Sequence, residues 1–326
     1  MRVVSIAAFG PPAEIVSLGE RPLPEPGPGE VRVRMGLSPI HNHDLAILRG
    51  VYGYRPALPA VPGTEALGRV DALGEGVTAL ALGQRVATAS ANGAWAECFV
   101  APAAKLVPLP DALPDEAACQ LLAMPLSALM LLEDMKLQPG QWIAQNAANG
   151  AVGKTLATLA QTRGVKVVNL VRRDAALADL EAAGISGGIS TEREGWQQRV
   201  AALTGGAPLV RAVESIGGDA AQQLMSVVGE NGELISFGSL TFKPLLIGAE
   251  HLIFKQTVVK GYWASKRLAG TPPAELARMI GELARLTAAG TLKLPVDAVF
   301  DLAHAAQAMA AAERVGRSGK VLLRGG

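Results

Sequence analysis

Apolar residues in the first 120 positions alternate with polar ones or run together, in short segments cut by glycine and proline. Segments 2–8, 31–38, 66–73, 85–89 and 94–100 read as strands, separated by turns such as the Pro- and Gly-rich stretch 22–29. This pattern predicts a twisted, barrel-like β domain with short helical inserts. From residue 142 the rhythm changes to unbroken apolar runs alternating with helical periodicity. Segments 142–146 and 166–171 read as buried strands flanking a helix at 154–163. Helices at 175–183, 194–203 and 219–228 then alternate with strands at 209–215, 233–237 and 257–262. Such alternation predicts a doubly wound parallel sheet. Two amphipathic helices, 273–289 and 302–314, and a last strand, 319–323, close the chain. The most apolar run, 117–132, contains Gln120, Pro125 and Ser127 and is bounded by carboxylates, so it reads as a core helix pair and not a membrane span. The strand at 257–262 comes late in an open sheet and is expected to be an edge that pairs with its own copy, making a homodimer.

The stretch 142–173 is a complete βαβ opening, and its turn carries chemistry. Ala148-Asn149-Gly150-Ala151-Val152-Gly153 is a GxGxxG fingerprint with alanine in its first place. Gly150 lets the backbone approach a pyrophosphate, Gly153 lets the helix pack on the strand, and the N–H groups of the helix start meet the anion. An acidic residue about 20 positions further on would hold a ribose 2′-hydroxyl. Here that place falls on Arg172 and Arg173, with no carboxylate before Asp174. A guanidinium accepts a 2′-phosphate, which favours NADPH, although such a pair also serves as an ordinary solvated strand end.

Composition changes this picture in few places. The 326 residues exceed what one core usually serves, so two domains are expected. A net charge of +1 gives no electrostatic reason to expect nucleic acid, and the partner is a small molecule. Met1 leads within two residues into a strand pattern, leaving no room for a targeting peptide, and a cytoplasmic protein is expected. Cys98 and Cys119 lie far apart without CxxC spacing. His41 and His43 have a chelating spacing but no third ligand nearby, so a structural or capping role is expected and no metal.

Three stretches carry a resemblance that covers nearly the whole chain. They are Ser38-Pro39-Ile40 ahead of Asp44 with Gly50-Val51-Tyr52-Gly53 and Leu58-Pro59-Ala60-Val61; Gln145-Asn146-Ala147-Ala148-Asn149 with Val152-Gly153; and Leu252-Ile253-Phe254-Lys255 with Gly261-Tyr262-Trp263. On these residues the sequence resembles the zinc-independent medium-chain dehydrogenases/reductases and, within that superfamily, the 2-enoyl thioester reductases (trans-2-enoyl-CoA reductases), with the quinone oxidoreductase branch next. Quinone reductases usually carry an Ala-Ala-Gly-Gly-Val-Gly type of loop and lack the Leu-Ile-Phe-Lys segment. Zinc-dependent relatives place metal ligands where this chain has Thr64.

The resemblance implies an α/β protein with a GroES-like barrel-type β domain and a Rossmann domain with a doubly wound parallel sheet. The expected division is 1–122, 123–264, and a C-terminal return to the catalytic domain at 265–326. It implies Tyr52 as proton donor or polariser of the substrate carbonyl, a task a phenol can perform at neutral pH. An aromatic lid on the nicotinamide is the alternative, and Tyr54 lies two residues away. Cofactor contacts carry over to Asn149, Gly150, Ala151 and Val152 at the pyrophosphate, and to Arg172 and Arg173 at the 2′-phosphate. Phe237, Gly238, Ser239 and Leu240 with Tyr262, Trp263 and Ala264 fall near the nicotinamide, and Lys320 is a further basic contact.

Two departures stand out. Met124 replaces the asparagine of the family's Asn-Pro-x-Thr-Ala, and His41-Asn42-His43 replaces Asn-Pro-x. The expected reaction is hydride transfer from NADPH to the β-carbon of an activated C=C, most simply a 2-enoyl thioester, in the interdomain cleft. The alternatives are an NADPH:quinone or general enone reductase and, from another class, a non-catalytic NADPH-binding sensor or structural protein.

Overall fold

In the computed structural model, which describes residues Met1–Gly326, the strands in chain order begin with β1 (Arg2–Ile6), β2 (Val16–Glu20), β3 (Glu30–Pro39), β4 (Ala66–Leu73), β5 (Arg85–Thr88), β6 (Cys98–Pro102) and β7 (Val107–Pro108). Next come β8 (Trp142–Gln145), β9 (Lys166–Val171), β10 (Gly188–Ser190), β11 (Leu209–Glu214), β12 (Val228–Ser236) and β13 (Val258–Gly261). The chain closes with β14 (Val296–Asp301) and β15 (Lys320–Arg324). The residues divide into one unit of Met1–Ala123 with Ile280–Gly326 and a second of Met124–Met279.

In the first unit, seven strands follow the order β14-β15-β3-β4-β5-β7 with β6 on β3, and β1 and β2 form a separate pair. β3 shows why the period-2 pattern holds. Val31, Val33 and Met35 point into the core, while Arg32 and Arg34 point out and share the Asp71 carboxylate of β4 at 2.6 and 2.9 Å. The C-terminal return supplies Leu302, Met309, Val321 and Leu323 to the same core as Val31, Val33 and Trp95. That shared burial is what makes a segment more than 200 residues later in sequence part of this unit.

In the second unit, the six strands run β10-β9-β8-β11-β12-β13 and every pair is parallel. Numbered within the unit this is the 3-2-1-4-5-6 order of the dinucleotide-binding fold. A sheet covered on both faces needs strands apolar on both faces, which is why 167–171 is buried throughout. No helix is long and apolar enough to cross a membrane.

Three expectations are corrected. The return to the first unit begins at Ile280 and not at 265, because residues 265–279 are tied within the second unit. Arg267 pairs with Asp134 at 3.0 Å and Glu275 at 2.8 Å, and Arg278 pairs with Glu133 at 2.7 Å. The strand expected at 94–100 is displaced to Cys98–Pro102. Residues 94–96 are apolar because Trp95 is buried in the core, and they touch β1 only through an isolated bridge from Val3 to Ala96. β2, β7, β10 and β14 had no counterpart among the expected strands. β7 and β10 have two and three residues, β2 pairs only with β1, and no residue of β14 is fully buried, so their burial patterns are weak.

Candidate functional site

The glycine turn follows β8 directly and opens the helix Ala151–Thr162, with Gly150 at its N-cap. No side chain caps this helix, so its first N–H groups lack a side-chain acceptor and present partial positive charge. A Cβ on Gly153 would lie 2.6 Å from the Ala148 carbonyl oxygen, so only glycine lets the helix lie this close to the strand end. The turn is held from beneath by Gln145, whose amide donates to the Gly153 carbonyl at 2.8 Å and to Asn169 Oδ1 at 2.7 Å.

Arg172 and Arg173 follow the last residue of β9, the first exposed and the second half-buried, and neither guanidinium is engaged in an ion pair. The adjacent Asp174 carboxylate is paired with Arg193. A 2′-phosphate here would meet two uncommitted guanidinium groups and one neutralised carboxylate. Phe237–Leu240 follow β12, where the Phe237 and Gly238 N–H groups donate to the Glu214 carbonyl at 2.8 and 3.2 Å. Residues 262–264 follow β13. Each nucleotide-contact residue expected in this unit therefore sits just beyond the carboxyl end of a parallel strand, where ligands of open α/β sheets bind.

The structure adds detail to Tyr262. Its ring stacks against Phe237 at 6.0 Å, but its hydroxyl donates to Asp134 Oδ2 at 2.9 Å. Burial and that acceptor push the phenol up from its ordinary pKa. Tyr262 thus offers a ring face, and its hydroxyl is already committed.

Sequence reasoning assigned no role to Asn146 or Glu214. Glu214 is fully buried, and its Oε1 accepts from Asn146 Nδ2 at 3.1 Å and from the N–H groups of Ile216 and Gly217 at 2.7 Å each. Asn146 Oδ1 accepts from the Ser215 N–H at 2.8 Å. Together they brace the ends of β8 and β11. The only sequence signal was a polar residue closing an apolar strand.

Tyr52 and Lys320 belong to the first unit, where a buried acid–base cluster lies. His41 occupies the N-cap of the helix Asn42–Leu48, and its N–H donates to Asp44 Oδ2 at 2.8 Å. His41 Nε2 lies 2.6 Å from Glu65 Oε2, and both side chains are fully buried. Glu65 Oε1 accepts from the N–H groups of Leu122 and Ala123 at 2.7 and 2.8 Å. Burial pushes Glu65 up to about 8 and His41 well below the usual imidazole value, so the two share one proton as a neutral pair. Lys320 is not a solvated strand-end lysine. Its Nζ is enclosed 3.5 Å from the Ile40 carbonyl, and burial brings it down to about 8.

His43 Nε2 lies 2.7 Å from Thr64 Oγ1, and the Thr64 hydroxyl donates to Asp44 Oδ1 at 2.8 Å. The His43 ring stacks on His41 at 5.0 Å and lies 5.8 Å from the ring of Tyr52. Burial lowers the His43 pKa, with Asp44 opposing. Tyr52 is half-buried in its loop while Tyr54 is exposed, which separates two phenols that spacing could not. No group of three His, Cys, Asp or Glu side chains is arranged to hold a metal ion.

Comparison with known proteins agrees with this geometry. The family described as "Alcohol dehydrogenase GroES-like domain" matches residues 27–111, and that described as "Zinc-binding dehydrogenase" matches 151–285. The chain is 30% identical to the mitochondrial enoyl-[acyl-carrier-protein] reductase of Mus musculus over 329 aligned positions, covering 99% of this chain and 88% of that protein. It is also 30% identical to the Bos taurus protein of the same description, covering 90% of this chain and 81% of the relative. Among solved structures, Escherichia coli quinone oxidoreductase complexed with NADPH superposes with a TM-score of 0.91 at 26% identity, covering 99% of this chain and 100% of that one.

Proposed function

Since this chain belongs to the medium-chain dehydrogenase/reductase family, and within it resembles the enoyl reductases, we propose that it reduces the C=C bond of a 2-enoyl thioester with NADPH. It is an NADPH-dependent oxidoreductase. The residues fit that cofactor: the uncapped helix start at Gly150, packed on the strand end through Gly153, would receive the pyrophosphate, and Arg172 and Arg173 would receive the 2′-phosphate. NADPH supplies the hydride that adds to the β-carbon.

The observation that carries the substrate reading is Tyr52, half-buried with its ring 5.8 Å from an imidazole that is itself anchored to a carboxylate. Hydride addition to an enoyl thioester places negative charge on the carbonyl oxygen. A phenol hydrogen bond that strengthens as this charge develops lowers the barrier. A proton must then reach the α-carbon, and Tyr52 is suited to give it. Met124 stands where the resemblance implies an amide, so one polar contact expected of an enoyl reductase is missing, which counts against the acyl substrate.

The quinone reading shares fold and cofactor with the relative from Escherichia coli. Comparing kcat/KM for a crotonyl thioester and a 1,4-quinone, both with NADPH, separates the two. A preference for the quinone, with no thioester turnover, rejects the enoyl reading, and turnover of neither favours a sensor.

The active form is proposed to be a homodimer. β13 pairs only with β12, and its four residues are exposed. Nearby Ile253 and Phe254 are 64% and 77% exposed, so apolar surface and an open strand edge coincide. Sedimentation as a monomer at micromolar concentration would count against it.

A further inference from the structure

The geometry points to His43 as the proton relay of this reaction, held by Thr64 and Asp44 in the tautomer that keeps Nδ1 free and refilling Tyr52 after each turnover. The inference rests on the proposed C=C reduction and adds the route by which the proton arrives. A threonine hydroxyl has one proton, and that of Thr64 goes to Asp44 Oδ1 at 2.8 Å. The contact of 2.7 Å between His43 Nε2 and Thr64 Oγ1 therefore requires the proton on Nε2. Nδ1 is left with its lone pair, without a hydrogen-bond partner in the protein, on a side chain that is 20% exposed. The ring thus has one nitrogen fixed to a carboxylate through a hydroxyl and the other open to water.

Burial lowers the His43 pKa and Lys320 adds to this, with Asp44 opposing, so an imidazolium formed here gives up its proton readily. The stacked His41 adds no charge, because it shares its proton with Glu65 in a neutral pair. Of the neighbouring titratable groups, Tyr52 alone lies on the loop proposed to meet substrate.

The step balances with one proton. Solvent first places a proton on the free Nδ1. As the Tyr52 O–H bond breaks and the α-carbon–H bond forms, that Nδ1–H bond breaks and the phenol O–H re-forms, which leaves the ring neutral with its proton on Nε2. The reductant is NADPH, so neither His43 nor Tyr52 changes oxidation state. Sequence reasoning gave His43 a structural or capping role, because the His43–Thr64 and Thr64–Asp44 contacts are made across 21 and 20 residues by tertiary folding.

Three experiments test the relay. In the wild-type protein labelled with [15N]histidine, the neutral His43 ring is expected as the Nε2–H tautomer, and an Nδ1–H tautomer overturns the proposal whatever the substrate. In His43→Asn, kcat for a crotonyl thioester is expected to fall roughly ten- to a hundred-fold. NADPH affinity is expected to stay within two-fold (~0.4 kcal/mol). The solvent deuterium isotope effect should rise and added imidazole should restore rate. Thr64→Val keeps the ring but cuts its link to Asp44, so the alkaline fall of kcat should move to lower pH. Wild-type kcat, isotope effect and pH profile in both variants would sink the relay while leaving the reductase reading intact. Absence of thioester and enone turnover in the wild-type enzyme would instead sink that reading, with the tautomer measurement still deciding the geometry of the chain.

Discussion

Gly153 and Ala148 stand so close that a methyl group on the glycine would sit 2.6 Å from the alanine carbonyl oxygen and 2.7 Å from its Cα. Both neighbours are backbone and cannot rotate away. Gly153→Ala is therefore expected to cost about 1–3 kcal/mol of stability, as overpacking does, and to weaken NADPH by tilting the helix start. Gly281→Ala is the control. It lies inside the helix Pro273–Ala288 with open space around it, and gaining helix propensity there should stabilise by about 0.5–1 kcal/mol. Thermal melts and NADPH titration of both variants check the contrast.

Cofactor choice is expected to depend on Arg172 and Arg173. Replacing both with glutamine should weaken NADPH ten-fold or more, since a charge-assisted contact contributes about 1.5–3 kcal/mol. NADH, without the 2′-phosphate, should be nearly unaffected. Equal weakening of both, read by calorimetry, would mean that the pair supports the fold and not the phosphate.

Tyr52→Phe keeps the ring and removes only the hydroxyl. For an enoyl thioester, kcat is expected to fall roughly a hundred-fold with NADPH affinity unchanged, because the lost hydrogen bond belongs to the transition state. Tyr54, exposed in the same loop, should tolerate the same change. A quinone product anion can be protonated by water, so the Tyr52→Phe penalty should be much smaller with quinone. Wild-type kcat in Tyr52→Phe on the best substrate would dismiss it as donor.

The buried pair His41–Glu65 makes stability depend on pH in a particular way. Folded, the pair holds one proton up to about pH 8. Unfolded, Glu65 releases its proton near 4.5 and His41 near 6.5. Between 4.5 and 6.5 both states hold one proton and the slope is zero. From 6.5 to 8 the folded state holds one more, so stability should fall with rising pH, by about 2 kcal/mol in all. Below 4.5 the unfolded state holds one more, so stability falls with acid. In Glu65→Gln the decline above 6.5 should vanish and the acid loss should begin at 6.5 instead. Denaturant midpoints of both proteins from pH 4 to 8 measure this, and identical profiles would refute it.

Much of the second unit was legible in the chain because its determinants are local. β9 lies where the apolar run 166–171 placed it, and the turn at 148–153 stands between a strand and a helix as its glycines require. Gly153 is specified by a carbonyl only five residues away, and Arg172 and Arg173 by their place at a strand end. The first unit's β4 likewise lies where the largely apolar stretch 66–73 placed it. Tertiary structure alone decided where the return begins, because Arg267 and Arg278 choose partners more than 130 residues away and hold 265–279 in the second unit. The same holds for the cluster around His43. Spacing shows two histidines two residues apart, and nothing in it states that one would meet Glu65 and the other Thr64, or that Lys320 would be buried beside them. Backbone periodicity is written in neighbouring residues, whereas the ionisation and tautomer of a buried side chain depend on which distant groups folding brings within 3 Å.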